Sequence, residues 1–243
     1  MAHKSLLSVL IFSHGLYEPA CTIGVFGITP LKVYVNDIDI ALNNNLEILN
    51  EDVLKVDLNE LIVKEVNSNE IEKVKIVANL PYYITTPIIM KLLEEKINVE
   101  SITVMIQKEV ADRLCAIPGK KDTGAITYTV YYYSEPEKVI EVSKDKFIPQ
   151  PKVDSEVIKL KIREVPFVKV QNEEIFFKVI KYAFMQRRKT LINALSMSDL
   201  FKDKDEIKEI IQKIGLDERV RGESLSINDY AKITEMLQSP KNF

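Results

Sequence analysis

Histidine and cysteine are scarce in this chain of 243 residues, with two of each. His3 and His14 both lie near the N-terminus, so a histidine-based metal site or a Ser-His-Asp triad would have to use one of them. Cys21 and Cys115 are far apart and form no C-x-x-C, which excludes a disulfide framework and a zinc ribbon. No apolar run reaches the ~18 residues of a membrane-spanning helix, so no membrane partner is expected. Neither sign of charge dominates: the net charge is -3, and any nucleic-acid binding would need locally concentrated basic residues. What is present, 46% hydrophobic and 28% charged residues, is ordinary for a globular chain and excludes wholesale disorder and collagen-like structure. The length allows one large domain, or a large one with a small one, and either can bury a proper core.

The first 36 residues differ from the rest. They carry three charges, Lys4, Glu18 and Lys32, yet hold both histidines and three of the seven glycines, Gly15, Gly24 and Gly27. Leu6-Leu7-Ser8-Val9-Leu10-Ile11-Phe12 resembles a short secretory core, but no A-x-A site follows it, and Glu18-Pro19 before Ala20-Cys21 suits neither cleavage nor a lipoprotein box. A buried strand followed by irregular chain is the preferred reading, and the expected location is the cytoplasm.

Downstream, strand and helix patterns alternate. Residues 32–35, 46–49, 74–78 and 101–106 read as strands, and 57–72, 87 onward and 107–115 as helices. Pro87 fits a first helical turn, with Ile88, Ile89, Leu92 and Leu93 as the apolar face. Residues 126–133, 137–142 and 157–162 are β-rich. After Pro166 the pattern changes: 173–197, 203–214 and 226–238 read as helices with no strand between them. This predicts an α/β sheet domain at 1–166, divergent over 1–36, and a small α-helical domain at 167–243.

Open α/β sheets bind ligands at the carboxyl ends of their strands, which is where Asn79-Leu80-Pro81-Tyr82 falls. Asn79 offers an amide oxygen and an NH2 group. Leu80 offers a backbone carbonyl whose direction Pro81 restricts, and Tyr82 offers a flat ring. Together they suit a planar heterocycle bearing an exocyclic amine. A proline loop with an Asx-turn is the plainer alternative, and these four residues alone leave both open.

The segments around the loop narrow the choice. They are Asn79-Leu80-Pro81-Tyr82-Tyr83-Ile84-Thr85-Thr86-Pro87, Gln107-Lys108-Glu109-Val110-Ala111-Asp112-Arg113 and Pro118-Gly119-Lys120-Lys121-Asp122-Thr123-Gly124. Phe147-Ile148-Pro149-Gln150-Pro151-Lys152-Val153-Asp154-Ser155, Phe184-Met185-Gln186-Arg187-Arg188-Lys189-Thr190-Leu191 and Arg221-Gly222-Glu223-Ser224-Leu225-Ser226 follow. In this order, from about Leu46 to Phe243, the sequence resembles the rRNA adenine dimethyltransferase family, which includes the small-subunit rRNA enzymes and the macrolide-resistance methylases. Leu80 after Asn79, and the Q-R-R-K-T run, favour the small-subunit branch.

The resemblance implies a Rossmann-like methyltransferase sheet, with methyl transfer from S-adenosylmethionine to N6 of two adjacent adenines of small-subunit (16S) rRNA in a pre-30S particle. It places the Asn79 side-chain oxygen and the Leu80 carbonyl on the two amine hydrogens and Tyr82 on one face of the base. Phe147 would form a second aromatic wall, although a Phe beside two prolines is as readily a packing anchor. No metal is required, and a monomer is expected. For the cofactor, the resemblance puts Asp37 on the ribose hydroxyls, with Asp39 as its alternative, and Asp52 beside Val53 on the adenine, with Asn79 bordering the pocket. A solvated loop carboxylate remains the alternative for either acid.

The sequence departs from the family at the cofactor loop. The family's K-K-x-x-G-Q-N-F segment and acidic E-x-G-x-G-x-G loop are missing, and Gly24-Val25-Phe26-Gly27 is the nearest substitute. The spans from Gly27 to Asp37 and from Asp39 to Leu46 are too short for crossover helices, since parallel neighbours need ~10–12 residues between them. The N-terminal part of the sheet is therefore expected to be shortened or replaced.

The RNA-binding surface is expected on 175–198, which holds Lys178, Lys181, Arg187, Arg188 and Lys189 and no acid. On one continuous helix most of these share a face and form a phosphate-binding patch, whereas ordinary solvated faces mix signs. Lys108 and Arg113 would extend it. Two readings follow: an active dimethyltransferase, or an RNA-binding relative that cannot use the cofactor. Residues 79–243 fit both, and a methylase acting on DNA or a small molecule is disfavoured by the basic helical tail.

Overall fold

The computed structural model describes residues 6–13, 21–26, 46–49, 52–69, 73–120 and 122–238. Among the described residues, seven strands form one sheet: β1 (Leu6–Ser13), β2 (Cys21–Phe26), β3 (Leu46–Leu49), β4 (Lys73–Asn79), β5 (Ser101–Gln107), β6 (Ser134–Val142) and β7 (Ser155–Ile162). Their order is β3-β2-β1-β4-β5-β7-β6. Strands β1, β4 and β5 are parallel, whereas β2 is antiparallel to both of its neighbours and β7 antiparallel to β5.

Connection length explains these directions. Helix α2 (Thr85–Glu94) returns the chain from β4 to β5 and buries Ile88, Ile89, Leu92 and Leu93, the apolar face expected from the sequence. Only the seven residues 14–20 join β1 to β2, too few for a crossover helix, and the two strands pair antiparallel. Gly24, expected to stand in for the cofactor loop, lies inside β2, opposite Leu10 of β1 and Ile48 of β3. This corrects the loop assignment for Gly24 to Phe26. Gly27, the strand expected at 32–35, Asp37 and Asp39 lie outside the described residues.

Register aligns the strand ends. Asn79 pairs with Phe12 on one side and Met105 on the other. Phe12 pairs with Thr22, Ile23 with Leu49, and Gln107 with Ser155. One edge of the sheet therefore gathers the carboxyl ends of β1, β3, β4 and β5 and the start of β7. Beneath that edge, Ile76, Ile102, Val104, Ile106, Ile158 and Leu160 are fully buried. Helix α1 (Leu58–Asn69) starts at Asp57, whose carboxylate accepts the Glu60 N–H at 2.9 Å, and buries Leu58 and Ile62.

The chain divides into two compact units. A sheet unit takes the described residues up to Ala111 together with Glu135–Ile162, and a helical unit takes Asp112–Ser134 and the described residues from Arg163 on. The border read from the sequence, at 166/167, leaves 112–134 with the sheet, whereas the structure groups that segment with the helices. Helix α3 (Lys108–Leu114) begins in the first unit and ends in the second. The helical unit otherwise contains α4 (Ala125–Tyr133), α5 (Glu173–Met185), α6 (Leu191–Leu195), α7 (Lys204–Lys213) and α8 (Ile227–Gln238).

Two expectations are corrected here. Residues 126–133 are not β but helical. Their Thr, Val and Tyr residues favour strands, yet Tyr128 and Tyr132, four apart, share a helical face and pack into the core with Phe176, Val179 and Tyr230. The N-terminus of α4 is anchored as well: the Thr127 hydroxyl accepts the Gly124 N–H at 2.9 Å and donates to the Arg113 carbonyl at 2.7 Å. The helix expected over 173–197 is broken. Helix α5 stops at Met185, Lys189 N–H turns back to the Gln186 carbonyl, and Thr190 caps α6 by accepting the Asn193 N–H. Arg187, Arg188 and Lys189 thus sit on a turn, not on a helix face with Lys178 and Lys181.

Candidate adenine-binding site

The loop after β4 is built from both ends. The Leu80 N–H donates to the Met105 carbonyl at 3.3 Å, holding the loop to β5. The Pro81 carbonyl accepts the Ile84 N–H at 3.2 Å and the Thr85 hydroxyl at 3.0 Å, which ties the loop to the start of α2. Leu80 is anchored by a buried side chain, while Asn79 is exposed. Among the described residues, no hydrogen bond engages the Asn79 amide or the Leu80 carbonyl. Two acceptors, one on a side chain and one on the backbone, are left at the sheet edge where ligands bind in this class of sheet.

Tyr82 is held at its tip. Its hydroxyl lies 2.7 Å from the Ser155 hydroxyl, and Ser155 is fully buried at the start of β7. Phe147, half-buried, follows a short 3-10 turn at Lys144–Lys146 and donates its N–H to the Lys144 carbonyl at 3.3 Å. Asp154 closes that loop: its carboxylate accepts the Lys144 N–H at 3.0 Å, and its carbonyl accepts the Lys108 N–H at 3.0 Å. Reading the sequence singled out Phe147 and passed over Asp154 and Ser155, although both end the same quoted segment. The overlooked signal was two adjacent hydrogen-bonding residues where a proline-rich loop meets a strand.

The basic residues meet different partners. Lys178 pairs with Glu174 at 2.7 Å, four residues earlier on α5, and that contact raises the lysine's pKa and lowers the glutamate's. Lys108 pairs with Glu141 in the sheet unit. The stem of Arg113, in the helical unit, lies against Gly124, where an added Cβ would come within 3.1 Å of it. Arg187 reaches the Thr123 carbonyl at 3.1 Å and the Glu223 carboxylate at 3.3 Å. Lys181, Arg188 and Lys189 are exposed and carry no ion pair among the described residues.

Arg187 belongs to a seam between two of the quoted segments. The buried Thr123 hydroxyl donates to the Glu223 carbonyl at 3.3 Å. Tyr128 donates to the Leu225 carbonyl at 2.6 Å and accepts the Gly119 N–H at 3.2 Å; burial pushes its ionisation up to about 12, so it remains a donor at neutral pH. Gly119, with φ +81°, has a backbone conformation that strains any other residue, and a Cβ there would stand a tight 3.1 Å from the Leu225 carbonyl oxygen.

The sequence model of the family described as ribosomal RNA adenine dimethylase matches residues 31–239. The chain belongs to this family. Among curated relatives, it is similar to a protein named ribosomal RNA small subunit methyltransferase A from Alkaliphilus oremlandii (strain OhILAs), 51% identical over 79% of this chain and 66% of the relative. A protein of the same name from Clostridioides difficile (strain 630) is 49% identical over 86% of this chain and 69% of the relative. The chain thus spans about two thirds of the length of these relatives. A dimethyladenosine transferase from Plasmodium falciparum shares the fold with a TM-score of 0.57 at 22% identity, over 72% of this chain and 76% of that one. The sheet is accordingly a Rossmann-like methyltransferase sheet. Strands β1 and β2 precede residue 31, where the match to the family model begins.

Methyltransferases of this family use S-adenosylmethionine, and the described residues fit it at one end. Asp52 follows β3 at the same sheet edge as Asn79, with Val53 fully buried behind it. One Asp52 oxygen accepts the Leu54 N–H at 3.0 Å, and the other lies 3.7 Å from the Lys55 ammonium, leaving the side chain 36% exposed and able to accept a further bond. The glycine-rich side does not fit: Gly24 is strand, and the seven residues after β1 contain one glycine, Gly15. Among the described residues, no group of three or more His, Cys, Asp or Glu is gathered as for a metal, and no helix is long and apolar enough to cross a membrane.

Proposed function

We propose that this chain transfers methyl groups from S-adenosylmethionine to N6 of two adjacent adenines in small-subunit (16S) rRNA, acting as a monomer on a pre-30S particle in the cytoplasm. The observation that carries this reading is the pair of unengaged acceptors, the Asn79 amide oxygen and the Leu80 carbonyl, at the carboxyl end of β4. The names of the two curated relatives support the choice of small-subunit RNA.

An adenine amine is a poor nucleophile because its lone pair is delocalised into the ring. When Asn79 and Leu80 each accept one amine hydrogen, the lone pair is localised on nitrogen and points away from both. This is catalysis by orientation, and holding reactants in line is worth several orders of magnitude in rate. When bound, the cofactor would supply an electrophilic methyl group on a sulfonium, leaving as the neutral thioether, while the alkylated nitrogen gives up one of its protons to solvent. Tyr82, fixed at its hydroxyl, stacks on the extruded base, and Phe147 closes the other face. Exposed Lys181, Arg188 and Lys189 contact RNA phosphates.

A second reading, an RNA-binding relative that does not use the cofactor, is favoured by one observation: Gly24 lies within an antiparallel β2. Incubating the chain with methyl-labelled S-adenosylmethionine and pre-30S particles lacking the modification decides between them. Labelled N6,N6-dimethyladenosine in the digested RNA is expected from the first reading. RNA binding without label at saturating cofactor would establish the second.

A further inference from the structure

Resting on the adenine-methylation reading, we infer that Asp154 and Ser155 are positioning residues that together set the two aromatic side chains of the site, Tyr82 and Phe147. The two aromatics lie on different loops, one after β4 and one before β7. Two adjacent residues reach both. Ser155 meets the Tyr82 hydroxyl at 2.7 Å, the usual length of an O–H···O bond. Asp154 accepts the Lys144 N–H at 3.0 Å through its carboxylate, closing the loop that carries Phe147. Its carbonyl accepts the Lys108 N–H at 3.0 Å, and Ser155 pairs with Gln107, so the junction is fastened to the end of β5 and the start of α3.

The need for such a junction is physical. A tyrosine ring anchored at its Cβ alone swings about two side-chain torsions, but a second anchor at the hydroxyl sets the plane of the ring. Phenylalanine has no polar tip, so Phe147 is placed through its backbone, by closing the loop beneath it. Ser155 is fully buried and would lose its side-chain partner without Tyr82. Base stacking requires both planes to be set before the adenine arrives, otherwise each turnover must order them.

Steady-state methyl transfer on pre-30S particles tests this. Ser155→Ala and Tyr82→Phe should each lower kcat about tenfold with the KM for RNA nearly unchanged. The double variant should be no slower than either single one, and Ser155→Thr should restore most of the rate. Asp154→Ala should lower kcat, whereas Asp154→Asn, which keeps the acceptor oxygen, should not. Unchanged kcat in Ser155→Ala, or multiplicative losses in the double variant, would overturn the inference. A second arm needs no methyl transfer. In protein labelled with 3-fluorotyrosine, Ser155→Ala should shift the Tyr82 fluorine resonance, assigned by Tyr82→Phe, and leave the other nine tyrosines in place. An unmoved Tyr82 resonance refutes the junction. A wild-type chain that transfers no methyl group refutes the activity, while the fluorine spectrum still decides the junction.

Discussion

The two halves of the sheet solve the same problem differently. Between β4 and β5 the chain returns through a ten-residue helix, so both strands run the same way and their carboxyl ends meet at one edge. Between β1 and β2 seven residues force an about-turn, and the start of β2 stands where the end of a parallel strand would be. The first half delivers Asn79, Leu80 and Tyr82 to the ligand edge with backbone and side-chain anchors. The second delivers Asp52 but puts a glycine into a strand. The two faces of β4 are covered differently: Ile76 is fully buried while Val77, on the opposite face, is 40% exposed. Connection length therefore governs more than topology. It decides which strand ends, and hence which loops, can surround a ligand.

The contrast can be broken at its strong side first. Replacing Asn79 with alanine should lower methyl transfer by about two to three orders of magnitude, as when one hydrogen-bonding group aimed at a reacting atom is lost. RNA affinity, carried mostly by phosphates, should barely move. A rate close to wild type would remove the loop from the reaction. The weak side is tested by calorimetry with S-adenosylmethionine. Close backbone approach along one side of a ligand is worth several kcal/mol, and ~1.4 kcal/mol is tenfold in affinity. Binding about a hundredfold weaker than in a family member with the glycine-rich loop is expected, with almost no rise in melting temperature at modest ligand. Tight binding would show that the shortened half makes a working pocket.

Two smaller effects divide the basic residues of the helical unit. Joint replacement of Lys181, Arg188 and Lys189 by alanine should flatten the salt dependence of RNA binding, by up to ~0.9 in slope per lost duplex phosphate contact and less on single strands. An unchanged slope returns them to ordinary solvated charges. Arg187→Ala should leave that slope alone and instead cost about 1 kcal/mol in unfolding free energy, because it removes hydrogen bonds to Thr123 and Glu223. A flattened slope with unchanged stability would make Arg187 an RNA contact after all.

Much of the site could be read directly from residues 79–87. A strand, then an amide, a proline and a tyrosine, then Thr86-Pro87 opening a helix, are local signals, and local chemistry dictated each of them. The spans counted near the N-terminus, from Gly27 to Asp37 and from Asp39 to Leu46, run through residues outside the described ones, and what the structure adds there is the seven-residue link from β1 to β2. The failures were all long-range. Residues 126–133 carry β-forming side chains, and their helix exists because Tyr128 and Tyr132 find partners on α5 and α8. Arg187 looked like its neighbours in sequence, and only Thr123 and Glu223 distinguish it from Arg188. Ser155 lay outside the strand read at 157–162, and only the fold brings Tyr82, 73 residues away, within hydrogen-bond reach of it.

The sequence by itself therefore determined the family and a loop that leaves two acceptors at the carboxyl end of β4. These follow from residue type and spacing along the chain. Tertiary structure alone decided that Gly24 lies within β2, which partner each basic side chain meets, and that Ser155 meets Tyr82. Those depend on which groups meet across the fold, where a hydrogen bond of 2.7 Å or a buried ring can override the preference of the segment that supplies it.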